Sequence, residues 1–207
     1  MKYIFIHGLG QNISSWNETL KGLDQKDNIE CLDLIKLLDQ QEINYQNLYQ
    51  SFKEYCLQIS EPIVLCGLSL GGILALQYAL EYKERVNSLI LIGVQYTMPK
   101  ILLKCQNVVF RCMPKKSFQQ IGFTKKDFIS LCQSMIDIDL THQLPLIQCF
   151  TYIICGKKDI FNKKACINLH QYLSNSKLIF IENAGHEVNK DQPKELARIL
   201  NEIMCYK

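Results

Sequence analysis

The chain has 207 residues, 48% of them hydrophobic, with 23 basic against 20 acidic side chains and a formal charge of +3. That is one domain's length with enough apolar residues for a sizeable core. The small charge and the lack of any long basic run argue against a nucleic-acid partner and leave the lysine pairs as solvated surface.

Apolar runs of strand length alternate with helical patterns along the chain. YIFI (3–6) reads as the first strand, residues 15–23 as a helix, and IECLDL (29–34) as a short second strand. A helix over 45–59 leads to IVLC (63–66), and another helix starts just after Ser69 and runs to about Tyr82. LILIGV (89–94) is the fourth strand, FTYIIC (150–155) the fifth and KLIFIE (177–182) the sixth, with a helix over 163–173 between the last two. Leu196, Ile199, Leu200 and Ile203 recur at helical spacing behind Pro193, which suits a first turn. The strands are mostly continuous rather than alternating, as in a parallel sheet covered on both faces. The expected fold is therefore α/β, a doubly wound, mostly parallel six-stranded sheet in a single domain over 1–207.

Residues 96–146 break the alternation. They hold no convincing strand and read as short helices cut by Pro99, Pro114, Gly122 and Pro145. An insertion of that length is too long for an ordinary connection, so it has to cover something. No run reaches the roughly 18 apolar residues of a membrane span. MKYIFIHG lacks the length and cleavage site of a signal peptide, so a cytoplasmic protein is expected. The ten cysteines form no CxxC and no cluster with histidine, so reduced thiols and no metal are expected. Cys66 and Cys155 lie inside apolar runs, where cysteine serves as a small hydrophobe.

GLSLGG, residues 67–72, fits G-x-S-x-G between an apolar strand and an apolar helix. The chain must pass from strand to helix in one tight turn. That holds Ser69 in a strained conformation with its hydroxyl at the C-terminal edge of the sheet. Gly67 and Gly71 lack the Cβ atoms that would collide across so sharp a turn. A serine hydroxyl is a weak nucleophile and needs a base, itself oriented by a third group. Of the four histidines, His142 precedes the fifth strand and His170 lies inside a helix. His186 follows the sixth strand, at the edge where chemistry sits in a parallel sheet. Asp159 follows the fifth strand, and the loop after the fourth offers no carboxylate. Ser69, Asp159 and His186 thus stand in one particular chain order for a catalytic triad. HGLG, residues 7–10, places a loop after the first strand, from which the Leu9 amide can donate to a developing oxyanion. The Leu70 amide, next after the serine, is the second donor of such a hole, and His7 anchors the loop.

With these motifs the chain resembles the α/β-hydrolase superfamily, in particular its small cofactor-free esterase-like members. The resemblance runs from HGLG through GLSLGG to GKKD and GH, nearly the whole chain. It implies a serine hydrolase that takes a small-molecule acyl substrate, a small or medium carboxylic ester or thioester, through an acyl-enzyme on Ser69, with no cofactor. It also implies that 96–146 is a helical lid, a short one for the family. Only six residues precede His7, so the family's first two strands are expected to be absent. Met98, Phe110 and Phe128 are candidates for the substrate pocket, against plain packing of the lid; Trp16 lines the cleft or packs in the core. Two other chemistries on the same triad stay open, a menaquinone-pathway-type carbon–carbon lyase or hydrolase and a perhydrolase. Arg111 is the only arginine in 96–146, which weakens the first. From another class, a small-molecule receptor on the hydrolase fold is the alternative.

Overall fold

The computed structural model describes residues 1–39, 41–98 and 124–205. Its strands are β1 (Lys2–Ile6), β2 (Ile29–Leu32), β3 (Ile63–Leu68), β4 (Val86–Ile92), β5 (Phe150–Gly156) and β6 (Ser176–Ile181). They form one sheet in the order β2-β1-β3-β4-β5-β6, every neighbouring pair parallel. Successive side chains of a strand point to opposite faces, and here both sets are apolar. Ile4 and Ile6 of β1 enter one core cluster, while Tyr3 and Phe5 enter the other. Leu65 and Val64 divide in the same way in β3, as do Leu91 and Ile90 in β4. A sheet buried on both sides needs no polar letter every second residue, which is why its strands read as unbroken apolar runs.

The helices are α1 (Asn17–Lys21), α2 (Leu34–Leu37), α3 (Tyr45–Leu57), α4 (Leu70–Glu81), α5 (Lys125–Ser134), α6 (Lys163–Tyr172), α7 (Val188–Asp191) and α8 (Pro193–Cys205). Residues of α3, α4, α5 and α6 build the larger cluster, and those of α7 and α8 the smaller one. No helix among the described residues is long and apolar enough to cross a membrane.

Several boundaries differ from expectation for local reasons. β4 begins at Val86 rather than at Leu89, because Asn87 and Ser88 hide the strand's start in a sequence reading. β2 stops at Leu32 because the Asp33 side chain accepts hydrogen bonds from the Ile35 and Lys36 amides and opens α2. The first helical stretch is a 3-10 turn over Ile13–Trp16, capped by Asn12, that runs into α1. Of the 96–146 insertion, the structure describes α5, a 3-10 turn over Thr141–Leu146 containing Pro145, and an antiparallel bridge between Thr97 and Asp139. The breaks expected at Pro99, Pro114 and Gly122 lie outside the described residues, as do Phe110 and Arg111.

Because β1 lies between β2 and β3, the strand order reverses there, and a crevice opens beyond the carboxyl ends of β1 and β3. The β3–α4 turn sits at that crevice. Ser69 has φ 51° and ψ −112°, and its amide donates to the Ile92 carbonyl at 2.9 Å. A non-glycine residue with φ in this region costs on the order of 1–3 kcal/mol and persists only where its surroundings hold it. The first turn of α4 presses against the end of β1, so that a Cβ on Gly71 would stand 2.3 Å from the Ile6 carbonyl oxygen. Gly71→Ala should therefore destabilise the fold despite alanine's better helix propensity. The expected loss is about 1–3 kcal/mol, read as a lower urea midpoint with an unchanged slope.

Candidate active site

Loops at the carboxyl edge of the sheet bring the candidate residues together. Gly8 follows β1, and a Cβ on it would lie 3.4 Å from Ser69 Cβ, so the HGLG loop stands beside the serine. Gly93 follows β4 with φ +58°, and its amide donates to the Ile154 carbonyl at 2.9 Å. A Cβ on Gly93 would lie 3.0 Å from His186 Nδ1 and 3.4 Å from Asp159 Oδ2. Only a bare backbone at this position lets the histidine and the acid settle behind the serine turn. The acid and histidine loops are also joined directly, the Lys158 amide donating to the Ala184 carbonyl at 2.9 Å.

His186 Nδ1 lies 2.8 Å from Asp159 Oδ2. With the Nδ1 proton donated to the carboxylate, Nε2 is left as the basic nitrogen. Asp159 is 4% exposed. Burial alone would raise the pKa of its carboxyl group. Hydrogen bonds from His186 and Asn162 outweigh that and hold it below the usual carboxylate value. Leu70 opens α4, so its amide is among the first-turn N–H groups with no carbonyl to reach inside the helix. Leu9 lies in the turn that the Gln11 amide closes on the Gly8 carbonyl at 3.1 Å. His7 is buried, and burial lowers its pKa, so it is kept neutral. Its Nε2 accepts from the Leu34 amide at 3.3 Å, and its Nδ1–H is left to donate to the Gly8 carbonyl at 2.9 Å. Both nitrogens are occupied in holding the loop.

The structure adds residues that the sequence reading missed. Asn162 Nδ2 donates to both oxygens of Asp159 at 2.9 Å and lies 3.0 Å from His186 Nδ1, and the Asn162 backbone amide donates to Oδ1 at 3.2 Å, so with His186 three donors converge on one carboxylate. Gln95, in the loop after β4, donates to Asn162 Oδ1 at 2.9 Å and so fixes which way that amide points. Asn162 stands where an N-cap of α6 belongs, yet its side chain makes no cap bond. The side chain is turned to the acid instead. A second cluster lies between the HGLG loop and the segment after His186. Gln11 Nε2 donates to Asn189 Oδ1 at 3.2 Å, Asn189 Nδ2 returns to Gln11 Oε1 at 3.1 Å, and Gln11 also donates to Glu187 at 2.8 Å. Both amides are almost wholly buried, and Asn189 further donates to the Ser15 carbonyl at 3.1 Å.

Of the residues expected to line a substrate pocket, Trp16, Met98 and Phe128 are buried, and Phe110 lies outside the described residues. Trp16 is 0% exposed and meets Phe5 edge-on, with ring centroids 5.2 Å apart, inside the smaller core cluster. It offers no surface to a ligand in this conformation, because Phe5 and its neighbours enclose it. Met98 and Phe128 are buried in the larger cluster. Cys66, next to the elbow, is fully buried, and burial raises its thiol pKa so that it stays protonated.

The open parallel sheet, the strained serine turn and the loops around it define the α/β-hydrolase fold. A family model described as "Serine aminopeptidase, S33" matches residues 44–154, just over half of the chain. The chain belongs to this family of α/β-hydrolases and is a hydrolase enzyme. It is 23% identical over 253 aligned residues to monoacylglycerol lipase ABHD6 of Mus musculus, covering 98% of this chain and 75% of that protein. Over 90 residues, 44% of this chain and 35% of the relative, it is 32% identical to the pimeloyl-[acyl-carrier protein] methyl ester esterase of Citrobacter koseri. Among solved structures, the esterase EaEST from Exiguobacterium antarcticum superposes with a TM-score of 0.81 at 18% identity, covering 99% of this chain and 92% of that one.

Two consequences follow from the polar contacts. Because the folded pKa of Asp159 is depressed, its ionised form contributes stability that is complete above the ordinary aspartate value, near pH 4. That contribution is lost as pH falls through the lower folded value. Asn162→Ala should move this loss to higher pH, since one of the bonds that depresses the pKa is gone. Urea midpoints measured from about pH 7 down to about pH 3 read the shift. Asn189→Ala should leave the buried Gln11 amide short of a partner, at a cost of about 1–3 kcal/mol. The same urea titration at neutral pH measures that loss.

Proposed function

We propose that the enzyme is a serine esterase that cleaves a small or medium carboxylic ester or thioester through an acyl-enzyme on Ser69. One observation carries this most directly. The Asp159–His186 contact of 2.8 Å lies at the same sheet edge as a serine held at φ 51°. His186 Nε2 takes the proton of the Ser69 hydroxyl as its oxygen attacks the acyl carbonyl. Asp159 keeps the other ring nitrogen protonated and stabilises the imidazolium that forms. The Leu9 and Leu70 amides donate to the tetrahedral oxyanion; removal of one such donor costs on the order of 3 kcal/mol of barrier. The imidazolium then protonates the leaving alcohol or thiol. His186 next takes a proton from water as the water oxygen attacks the acyl carbon; the Oγ–acyl bond then breaks, the imidazolium returns the proton to Ser69 Oγ, and the acid is released. No step requires a cofactor.

Two relatives whose names denote ester cleavage, a monoacylglycerol lipase and a methyl ester esterase, support an ester as substrate. In this reading, residues 96–146 form the lid of a single-domain enzyme, and the antiparallel contact between Thr97 and Asp139 closes its base. Met98 and Phe128, packed into the larger core cluster, anchor that lid to the body of the domain. Free thiols such as Cys66, Cys155 and Cys166 suit a reducing cytoplasm.

Ser69→Ala tests the proposal. It should lower hydrolysis of p-nitrophenyl butyrate by at least about a thousandfold, with an unchanged circular dichroism spectrum. A fluorophosphonate probe should label the wild-type protein and not the variant. Wild-type turnover by Ser69→Ala would overturn the mechanism, and a folded wild-type protein that resists the probe would instead favour a ligand-binding role.

A further inference from the structure

The loop that carries Asp159 has a second face. In KKDIFNKK, residues 157–164, the only carboxylate is turned inward, while the two residues after it point out. Ile160 is 77% exposed and Phe161 is 63% exposed, more than any other large hydrophobic side chain among the described residues. They sit at the tip of a tight turn, closed by the Asp159 amide on the Gly156 carbonyl at 3.0 Å and the Ile160 amide on the Lys158 carbonyl at 3.0 Å. Scattered surface hydrophobes need no explanation, but an adjacent pair this exposed on a turn held by the catalytic scaffold is unusual.

Among the described residues, the charges around the tip that lack an acidic partner are lysines. Lys158 and Lys164 are exposed on either side of it, and Lys163 lies with its ammonium 5.3 Å from the centroid of the Phe180 ring, itself a surface aromatic. Lys157 is paired with Glu182, and Asp159 is buried against His186 and Asn162. The tip therefore presents two apolar side chains inside a rim of unbalanced cations. An acidic protein would match the rim but would also need a pocket shaped for the tip. An anionic lipid surface matches both parts, because acyl chains accept the apolar residues while lysines stay at the headgroups.

We propose that Ile160 and Phe161, with Lys158, Lys163 and Lys164, form a docking surface for anionic membranes that turns the carboxyl edge of the sheet toward the lipid. The anchoring is peripheral and reversible, since two side chains and a few cations fall far short of an inserted helix.

Vesicle sedimentation with the full chain tests this without any turnover, so failure of the esterase assignment would leave the result readable. Wild-type protein should bind vesicles of phosphatidylcholine mixed with phosphatidylglycerol at least about tenfold more tightly than phosphatidylcholine alone. Added salt should weaken that binding. The double variant Ile160→Ser/Phe161→Ser should lose about tenfold or more. The triple variant Lys158→Gln/Lys163→Gln/Lys164→Gln should lose the preference for anionic lipid. Both should keep the wild-type urea midpoint and circular dichroism spectrum, so that lost binding is not lost folding. Equal binding to neutral vesicles, variants that bind like wild type, or no vesicle binding would each overturn the proposal. So would salt-sensitive binding to an acidic carrier protein in the absence of vesicle binding.

Discussion

The amide of Ser69 donating to the end of β4 is the constraint on which the site depends. It ties the start of α4 to a strand that α4 itself precedes, and it holds a non-glycine residue at φ 51°. In that conformation the serine stands at the N-cap position of a helix without capping it, so its hydroxyl is not committed to the backbone. The same turn brings α4 against Ile6 and leaves Gly93 as the floor on which the histidine and acid rest. Three strand ends thus meet within one turn, and side chains there have little freedom to be larger.

Much of this was legible in the amino-acid sequence, because the physical demands are unusual ones. A sheet covered on both faces writes continuous apolar runs, and a strand-to-helix elbow demands residues without Cβ atoms. Those two signals located the strands and Ser69, and Asp159 and His186 then followed from being the suitable side chains after their own strands. What was not legible is what short polar residues do in three dimensions. Asn87 and Ser88 look like a loop and are the start of β4. Asn162 looks like a helix cap and bonds the acid. Trp16 looks able to reach a cleft, yet it closes the core against Phe5. In each case local spacing is satisfied by two placements, and the choice is made by a partner far away in the chain.

The supports of the candidate site are largely neutral amides. Gln95, Asn162, Gln11 and Asn189 orient charged groups or loops without adding net charge. A buried ion pair carries a large desolvation penalty, whereas an amide offers a donor and an acceptor at fixed angles at a smaller one. The negative charge of Asp159 is thus held by hydrogen bonds from His186 and Asn162 rather than by a buried cationic side chain.

The bonds between Gln11 and Asn189 span 178 positions of the chain. They join the loop after β1 to the segment that follows His186. Closing so long a loop is entropically costly and comes after nearer contacts are in place. The HGLG loop therefore gains these side-chain partners only once β1 and the segment after β6 have folded against each other.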